Sequence, residues 1–403
     1  MTATAPAHRR SGSTKADIVV EAAGLFAERG FAAVSVQEIG EGVGITAGAI
    51  YRHFPSKEAV LHAVLLESID AWVAAAEPEP SRHGAERLVS RVVRSSVQLV
   101  VDRPGELATY VRERHRADGQ TRTELASREA VLFERWSDAI AAARPGLSRA
   151  EIIIRQQAVN GVLSSLALRP AGMSQPRLRA LVTDGLLAVM TAAPSPVGST
   201  ADNTPEERTW RAPTPRREQI ITVAMRLFAQ RGFHGVGMDE IGEAVGMSGP
   251  SLYQHVKGKA DILLDAYDRA GALVLAGAAD ALSAATSASE ALDRLIRSFV
   301  DVAFEHVDLV AVTSREGASL PAPERPRLAR RRRDLHEQWA AVLRELRGDL
   351  SSGDGRILVR SALALVLSLA RNRRDSSPSV DATAHLVRAF LLGGDLNPPQ
   401  EQP

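Results

Sequence analysis

The sequence predicts an all-α chain built as two tandem copies of one unit, and three observations carry that prediction. Apolar residues recur at spacings of three and four, as in Ile18, Ala22, Leu25 and Phe26 and again in Leu125, Val131, Leu132, Trp136 and Ile140, which places them on one face of a helix. Alternating runs of Val, Ile and Thr bounded by turn residues, the mark of strands, are absent. The segment Ile18 to Leu61 returns without gaps at an offset of 202 as Ile220 to Leu263, with roughly 19 of 44 positions identical, a self-similarity that marks duplicated structural units.

The echo runs beyond that segment. Arg112-Glu113 and Trp136 reappear as Arg315-Glu316 and Trp339 at an offset of 203, and "LVTDGLL" from Leu181 as "LVRAFLL" from Leu386 at 205. A drift of three residues implies that a whole half was duplicated. Pro and Gly at Pro78 and Pro80, Pro104-Gly105, Pro145-Gly146, Pro170 to Gly172, Gly317, Pro321 to Pro326 and Gly353 to Gly355 break each half into about nine helices. The expected organisation is a loose tail at 1–13, a first small helical domain at 14–74, a first C-terminal helical domain at 75–193 and a linker at 194–213. A second small domain at 214–274, a second C-terminal domain at 275–393 and a tail at 394–403 complete it. The linker is rich in Pro, Ser and Thr and buries too little apolar surface to offset its ordering entropy.

Composition narrows the classes. With 403 residues and a hydrophobic fraction of 45%, each half can bury a core. The absence of cysteine excludes disulfides, thiolate metal sites and a Cys nucleophile. The longest apolar run, "SALALVLSLA" from Ser361, stops at Arg371, short of the roughly 20 residues that cross a bilayer. The N-terminus lacks the apolar core of a signal peptide. A cytoplasmic protein without membrane association is expected. A net charge of +1 singles out no polyanionic partner. Any such binding must come from the arrangement of charges, since His8 to Lys57 holds six Lys or Arg against five Asp or Glu.

The repeated segment carries the local chemistry. In "SVQEIGEGVGITAGAIYRHFPSKEAVL", Ser35 and Glu38 have capping-box spacing and start a short helix to Val43. Gly44 permits a sharp reversal, and Thr46 caps a second short helix through Arg52. Pro55-Ser56 ends the unit, and Ser56 caps a long helix whose first turn holds Lys57. Two short helices joined by a tight turn are a helix-turn-helix.

With its Arg-Gly-Phe helix end, Tyr-x-His and following Lys, this stretch resembles the N-terminal DNA-binding domain of the TetR family of one-component bacterial repressors. "GMDEIGEAVGMSGPSLYQHVKGKADIL" resembles it again. The resemblance covers about 50 residues of each half, and the rest matches only in helical pattern. It implies a fold of two TetR-like units, each a helix-turn-helix domain followed by a helical ligand and dimerisation domain. It also implies double-stranded operator DNA and a small-molecule effector as partners, with no cofactor and no catalytic or metal site.

Carried onto this chain, the second helix of the pair enters the major groove with Thr46, Ala47 and Gly48 over base edges. Arg52, if it faces the groove, suits a bidentate contact to guanine. Tyr51, His53, Lys57 and the hydroxyl of Ser35 suit phosphates, which set register and not sequence. Phe54 reads as packing, and Glu28 and Arg29 as a solvated face. The second copy keeps Tyr253, His255 and Lys259 but has Gly237 for Ser35, Gln254 for Arg52, Val256 for Phe54 and Lys257-Gly258 for Pro55-Ser56. Asp239 is the candidate to compensate for the missing cap. Ser248, Gly249 and Ser251 are the candidate readers of this copy. Pro250 sits in the first helical turn, where its missing N–H is harmless. Retained DNA binding and a structural relic are both open for this copy.

In the C-terminal helices, polar residues that interrupt apolar faces are candidate pocket residues: Tyr110, Arg112, Glu113 and His115, and Gln156, Gln157 and Asn160. The corresponding helix of the second half, "RILVRSALALVLSLARNRR", is almost wholly apolar and predicts a greasy pocket. The run Arg325, Arg327 and Arg330 to Arg333 reads as a solvated cationic face or as a seat for a phosphate-bearing effector such as an acyl-coenzyme A. The resemblance implies self-association through Ala150 to Leu168 and Arg177 to Met190, either between two chains or between the halves of one. The expected function is a ligand-responsive repressor. A helical scaffold or co-regulator whose heads no longer bind DNA is the alternative. No H-E-x-x-H, G-x-S-x-G, P-loop or dinucleotide motif points to an enzyme.

Overall fold

The computed structural model describes residues 15–77, 85–168, 175–193, 215–372 and 378–393. The expected tails and linker, and the breaks at Pro78, Pro80 and Pro170 to Gly172, lie outside those residues. Among the described residues all regular structure is helical, with nine α-helices from each half, and no helix is long and apolar enough to cross a membrane. The chain divides into two compact units: residues up to 139 with 166–171, and residues 140–165 with those from 172 onward.

The first unit opens with α1 (Lys15–Arg29), a 3₁₀ turn at Phe31–Ala33, α2 (Val36–Val43), α3 (Ala47–Ile50) and α4 (Lys57–Ala75). Ile18, Ala22 and Phe26 of α1 are buried, as are Ile39, Ile50 and Phe54, and α2 packs on both α1 and α3. Each Ile or Phe among them contributes about 1.5–3 kcal/mol. On α4, Val60, Leu61, Val64, Leu65, Ile69 and Trp72 are buried, a stripe wide enough to face neighbours on two sides. α5 (Ala85–Asp102), α6 (Pro104–Glu113) and α7 (Gly119–Ala143) follow. α6 packs on both α1 and α4. Ser68 of α4 donates to the Glu106 carbonyl at 3.2 Å, and Trp72 meets Tyr110 edge to face at 5.6 Å.

The second unit repeats this order in α10 (Arg216–Arg231), α11 (Met238–Ala244), α12 (Gly249–Tyr253), α13 (Lys259–Ser283), α14 (Ala288–Glu305) and α15 (Val307–Arg315), continued by α16 (Arg325–Leu346), α17 (Ser352–Arg371) and α18 (Val380–Leu392). It also holds most of α8 (Arg149–Ala167) and all of α9 (Gln175–Thr191). Within this unit the last two helices of the first half pack on the last two of the second. α9 lies against α18 so closely that a Cβ on Gly185 would come within 2.7 Å of the Phe390 carbonyl. At Gly161 of α8 a Cβ would come within 2.6 Å of the Ala364 carbonyl on α17. Only glycine lets the backbones approach this far. Ser165 donates to Ser361 at 3.2 Å, and Arg177 pairs with Asp349 at 3.2 Å and Asp354 at 3.4 Å. The apolar α17 therefore lines this bundle, with Ser361 and Ser368 buried in it, where the sequence suggested a greasy pocket.

Candidate nucleic-acid interface

The first head is assembled from its caps. Ser35 Oγ accepts from the Glu38 amide at 3.2 Å, and Glu38 Oε2 accepts from the Ser35 amide and hydroxyl, both at 2.8 Å. Glu38 also holds Arg29 at 2.7 Å, and Arg29 donates to the Ala33 carbonyl at 3.1 Å. Arg29 thus ties α1 to α2 while staying exposed, as expected. The Ser35 amide, then its hydroxyl and Arg29, hold the Glu38 carboxyl down at about 2. Gly44 turns the chain at φ +76°, a conformation other residues reach only with strain. Thr46 then accepts from the Ala49 amide at 3.2 Å, and Ser56 from Ala59 at 3.1 Å.

The α-helix expected through Arg52 closes at Ile50, and Tyr51 to His53 form a turn. Phe54 is buried in the core at 3% exposure, and as the residue before Pro55 it is driven out of helical conformation. Lys15 sits 5.1 Å from the centre of its ring.

What this turn presents outward is Thr46, Gly48, Tyr51, Arg52 and His53, all exposed, with Ala47 half-buried. Tyr51 is 52% exposed, its ring open to solvent with an apolar body and a polar tip. Two residues expected at phosphates have other work. Lys57 donates to the carbonyls of Phe31 at 2.9 Å and Val34 at 2.8 Å and lies 4.3 Å over the Phe31 ring. It closes the α1–α2 corner. The Ser35 hydroxyl is likewise engaged with Glu38.

The second head reproduces this scaffold. Lys259 reaches Phe233 and Val236 at 2.9 and 2.7 Å and lies 4.8 Å over the Phe233 ring. Arg231 pairs with Glu240 at 2.7 Å, and Tyr253 is 54% exposed. Gly237 has no hydroxyl, but its amide still donates to Glu240 at 2.6 Å. Glu240, and not Asp239, therefore supplies the remaining half of the cap. Its carboxyl is also lowered, by the Gly237 amide and Arg231. Ser248 holds no backbone cap and donates instead to Ser251 at 3.2 Å. Gly249 and Ser251 are half-buried, Gln254 is exposed and His255 half-buried. In place of the Lys15–Phe54 contact, Arg217 bridges Asp265 at 2.5 Å and Asp261 at 3.2 Å and donates to the His255 carbonyl. Lys257, which replaces Pro55, is an exposed cation that reading the motif position by position did not single out.

The pocket candidates have different surroundings from those expected. Glu113 is 7% exposed, accepts from the Phe31 amide at 3.2 Å and pairs with Arg116 at 2.7 Å. Arg112 donates to the Ala27 carbonyl. Both bind α6 to the first head. Glu316 does the same in the second half, accepting from the Phe233 amide at 3.4 Å, whereas Arg315 donates to the Ala311 carbonyl of its own helix at 3.3 Å. Tyr110 donates to Glu129, with Arg114 alongside, and burial, reinforced by Glu129, raises its phenol. His115 is exposed. Gln156, Gln157 and Asn160 lie on α8 in the second unit, the two glutamines buried, and Asn160 accepts from Ser164 at 3.5 Å. A cleft of about 140 Å³ between α10 and the α14–α15 corner, lined by Ile221, Met225, Glu305, His306 and Leu309 among others, contains none of these candidates. The arginine run is split. Arg325 donates to the Leu320 and Ala318 carbonyls, Arg327 and Arg331 pair with Asp268 at 3.1 and 3.4 Å, and Arg330, Arg332 and Arg333 are exposed.

Comparison with known proteins agrees with this geometry. The model of bacterial regulatory proteins of the tetR family matches residues 18–64 and 220–266. That of the tetracyclin repressor-like C-terminal domain matches residues 285–371. The chain is 35% identical over 86 residues to the HTH-type transcriptional activator FasR of Mycolicibacterium smegmatis, covering 21% of this chain and 39% of that protein. It is 40% identical over 63 residues to the HTH-type transcriptional repressor KstR2 of Mycobacterium tuberculosis, covering 16% and 31%. The chain thus spans about a third of the length of these curated relatives. The solved structure of KstR2 from Mycobacterium tuberculosis superposes with a TM-score of 0.40 at 19% identity, over 45% of this chain and 95% of that one. With two N-terminal DNA-binding domains and a C-terminal domain of the same kind, the chain belongs to the TetR family of bacterial regulators, in a tandem form.

Proposed function

We propose that this chain is a DNA-binding transcriptional regulator, a ligand-responsive repressor that carries both operator-reading heads on one polypeptide. The observation that carries the reading is the repeated outward turn. Tyr51 and Tyr253 are half exposed at matching positions, each on a corner locked by a buried-side lysine. A rigid corner with an exposed amphipathic ring, beside a helix short enough to enter the major groove, suits phosphate positioning and base contact.

The single-chain arrangement is supported by the bundle of α8, α9, α17 and α18, in which each half contributes its last two helices. These are the helices through which two separate chains would otherwise join. Effector response is supported by Arg112 and Glu113, which connect α6 directly to backbone groups of the first head. A ligand that favours a different placement of α6 changes the pose of the head, and weakens operator binding by its differential affinity for the two states.

The test is binding of the full chain to duplex DNA from upstream of its own gene, followed by fluorescence anisotropy. The expected result is binding that weakens with salt and falls at least tenfold in the Tyr51→Ala, His53→Ala double variant. No binding by the unaltered chain would leave the helical scaffold as the better reading, and equal affinity of the double variant would take the first head's turn out of the interface.

A further inference from the structure

Resting on the DNA-binding reading, we infer that the two heads read different bases at one symmetry-related position of the operator: guanine under Arg52 and adenine under Gln254. The two positions are in the same place on the same framework. Behind them, Ile50 and Leu252 are buried at 1% and 0% exposure, and Phe54 and Val256 at 3% and 2%. The amides of Arg52 and Gln254 each reach back three residues, to Ala49 and Ser251, at 3.3 Å. The amides of His53 and His255 likewise reach Ile50 and Leu252, at 2.8 and 3.0 Å. The turn that carries each side chain is therefore the same, and each lies beside its exposed tyrosine.

Both side chains are exposed and neither is held by a partner among the described residues, so they are available to a ligand. They differ in what they can recognise. A guanidinium has donors only, arranged as a fork, and matches the paired acceptors O6 and N7 of guanine. A glutamine amide has one donor group and one acceptor, and matches N7 and the exocyclic amine of adenine. Each complementary pair discriminates against the wrong base by roughly tenfold or more. The elements around them do not blur this difference: Lys57 and Lys259 are engaged with backbone carbonyls in both heads, leaving Arg52 and Gln254 as the exposed long side chains that change identity within the tyrosine-histidine turn.

The experiment is selection of duplexes from a random pool by the full chain, repeated with Arg52→Gln and Gln254→Arg. The unaltered chain is expected to select two half-sites that carry G·C at the inferred position in one and A·T in the other. Arg52→Gln is expected to select A·T in both, and Gln254→Arg to select G·C in both. Selection of the unaltered sequence by both variants overturns the inference and leaves DNA binding intact, as does a half-site pair already identical at that position in the unaltered chain. A chain that selects no duplex overturns the DNA-binding reading itself, and this inference with it.

Discussion

The two heads differ in the groups they show to solvent and share the contacts that fix each corner. Lys57 and Lys259 close their corners through the same two carbonyls. Arg29–Glu38 and Arg231–Glu240 join the first two helices at the same 2.7 Å, and Phe26–Phe31 and Phe228–Phe233 cross at 5.3 and 5.2 Å. Among the exchanges, Ser35, Arg52 and the Pro55-Ser56 pair become Gly237, Gln254 and Lys257-Gly258, and in the core Phe54 becomes Val256. The second head has a lighter cap and a different exposed side chain beside its tyrosine, and it gains a cation at Lys257 and an Arg217 bridge to two aspartates. A frame held by long-range contacts to backbone tolerates exchange of the groups it displays, so two heads of one origin can diverge in specificity without diverging in fold.

The comparison is broken most forcefully at the tyrosines. Tyr51→Ala and Tyr253→Ala are each expected to weaken operator binding at least tenfold, measured by anisotropy. A Tyr253 variant that binds like the unaltered chain would make the second head a structural relic. Next come the lysines. Replacing Lys57 or Lys259 with Met removes a charged donor from two carbonyls and is expected to cost about 1.5–3 kcal/mol of stability in urea unfolding. The slope of log affinity against log salt should stay unchanged if the two carbonyls each lysine holds keep it from a phosphate. A slope reduced by about 0.9 would restore the phosphate role.

The smallest effect lies in the caps. Ser35→Gly converts the first head's cap to that of the second, and is expected to cost a few tenths of a kcal/mol. The Glu38 carboxyl is held at about 2 against an ordinary 4.5. A depressed carboxyl stabilises fully above its unfolded value, so its contribution is present above pH 4.5 and is lost as pH falls from there toward 2. Glu38→Gln should remove that pH dependence in urea melts of the full chain. A variant that loses stability over pH 4.5 to 2 as steeply as the unaltered chain would show that the cap carries no such linkage.

Much of the fold was legible because its signals are local. The Ser35–Glu38 box, the Gly44 turn and the Thr46 and Ser56 caps each span four residues or fewer, and all stand where the sequence predicts. The roles of Lys57 and Glu113 were not, because their partners lie 23, 26 and 82 residues away. A polar residue breaking an apolar face satisfies the backbone of a neighbouring helix as readily as it binds a ligand, and sequence spacing does not separate the two. Arg112, Glu113 and Glu316 went that way. The apolar length of α17 was similarly ambiguous. Gly161 and Gly185 were the available signal, since a small residue in the middle of a helix permits close approach of another helix, and it became readable only with α17 and α18 in view.

The central claim, that one chain supplies both heads to one operator, is tested most directly by the stoichiometry of the complex in sedimentation velocity at saturating DNA. The account predicts one 43.2 kDa chain per operator duplex. Two chains per duplex, joined as an ordinary dimer would be, would contradict it.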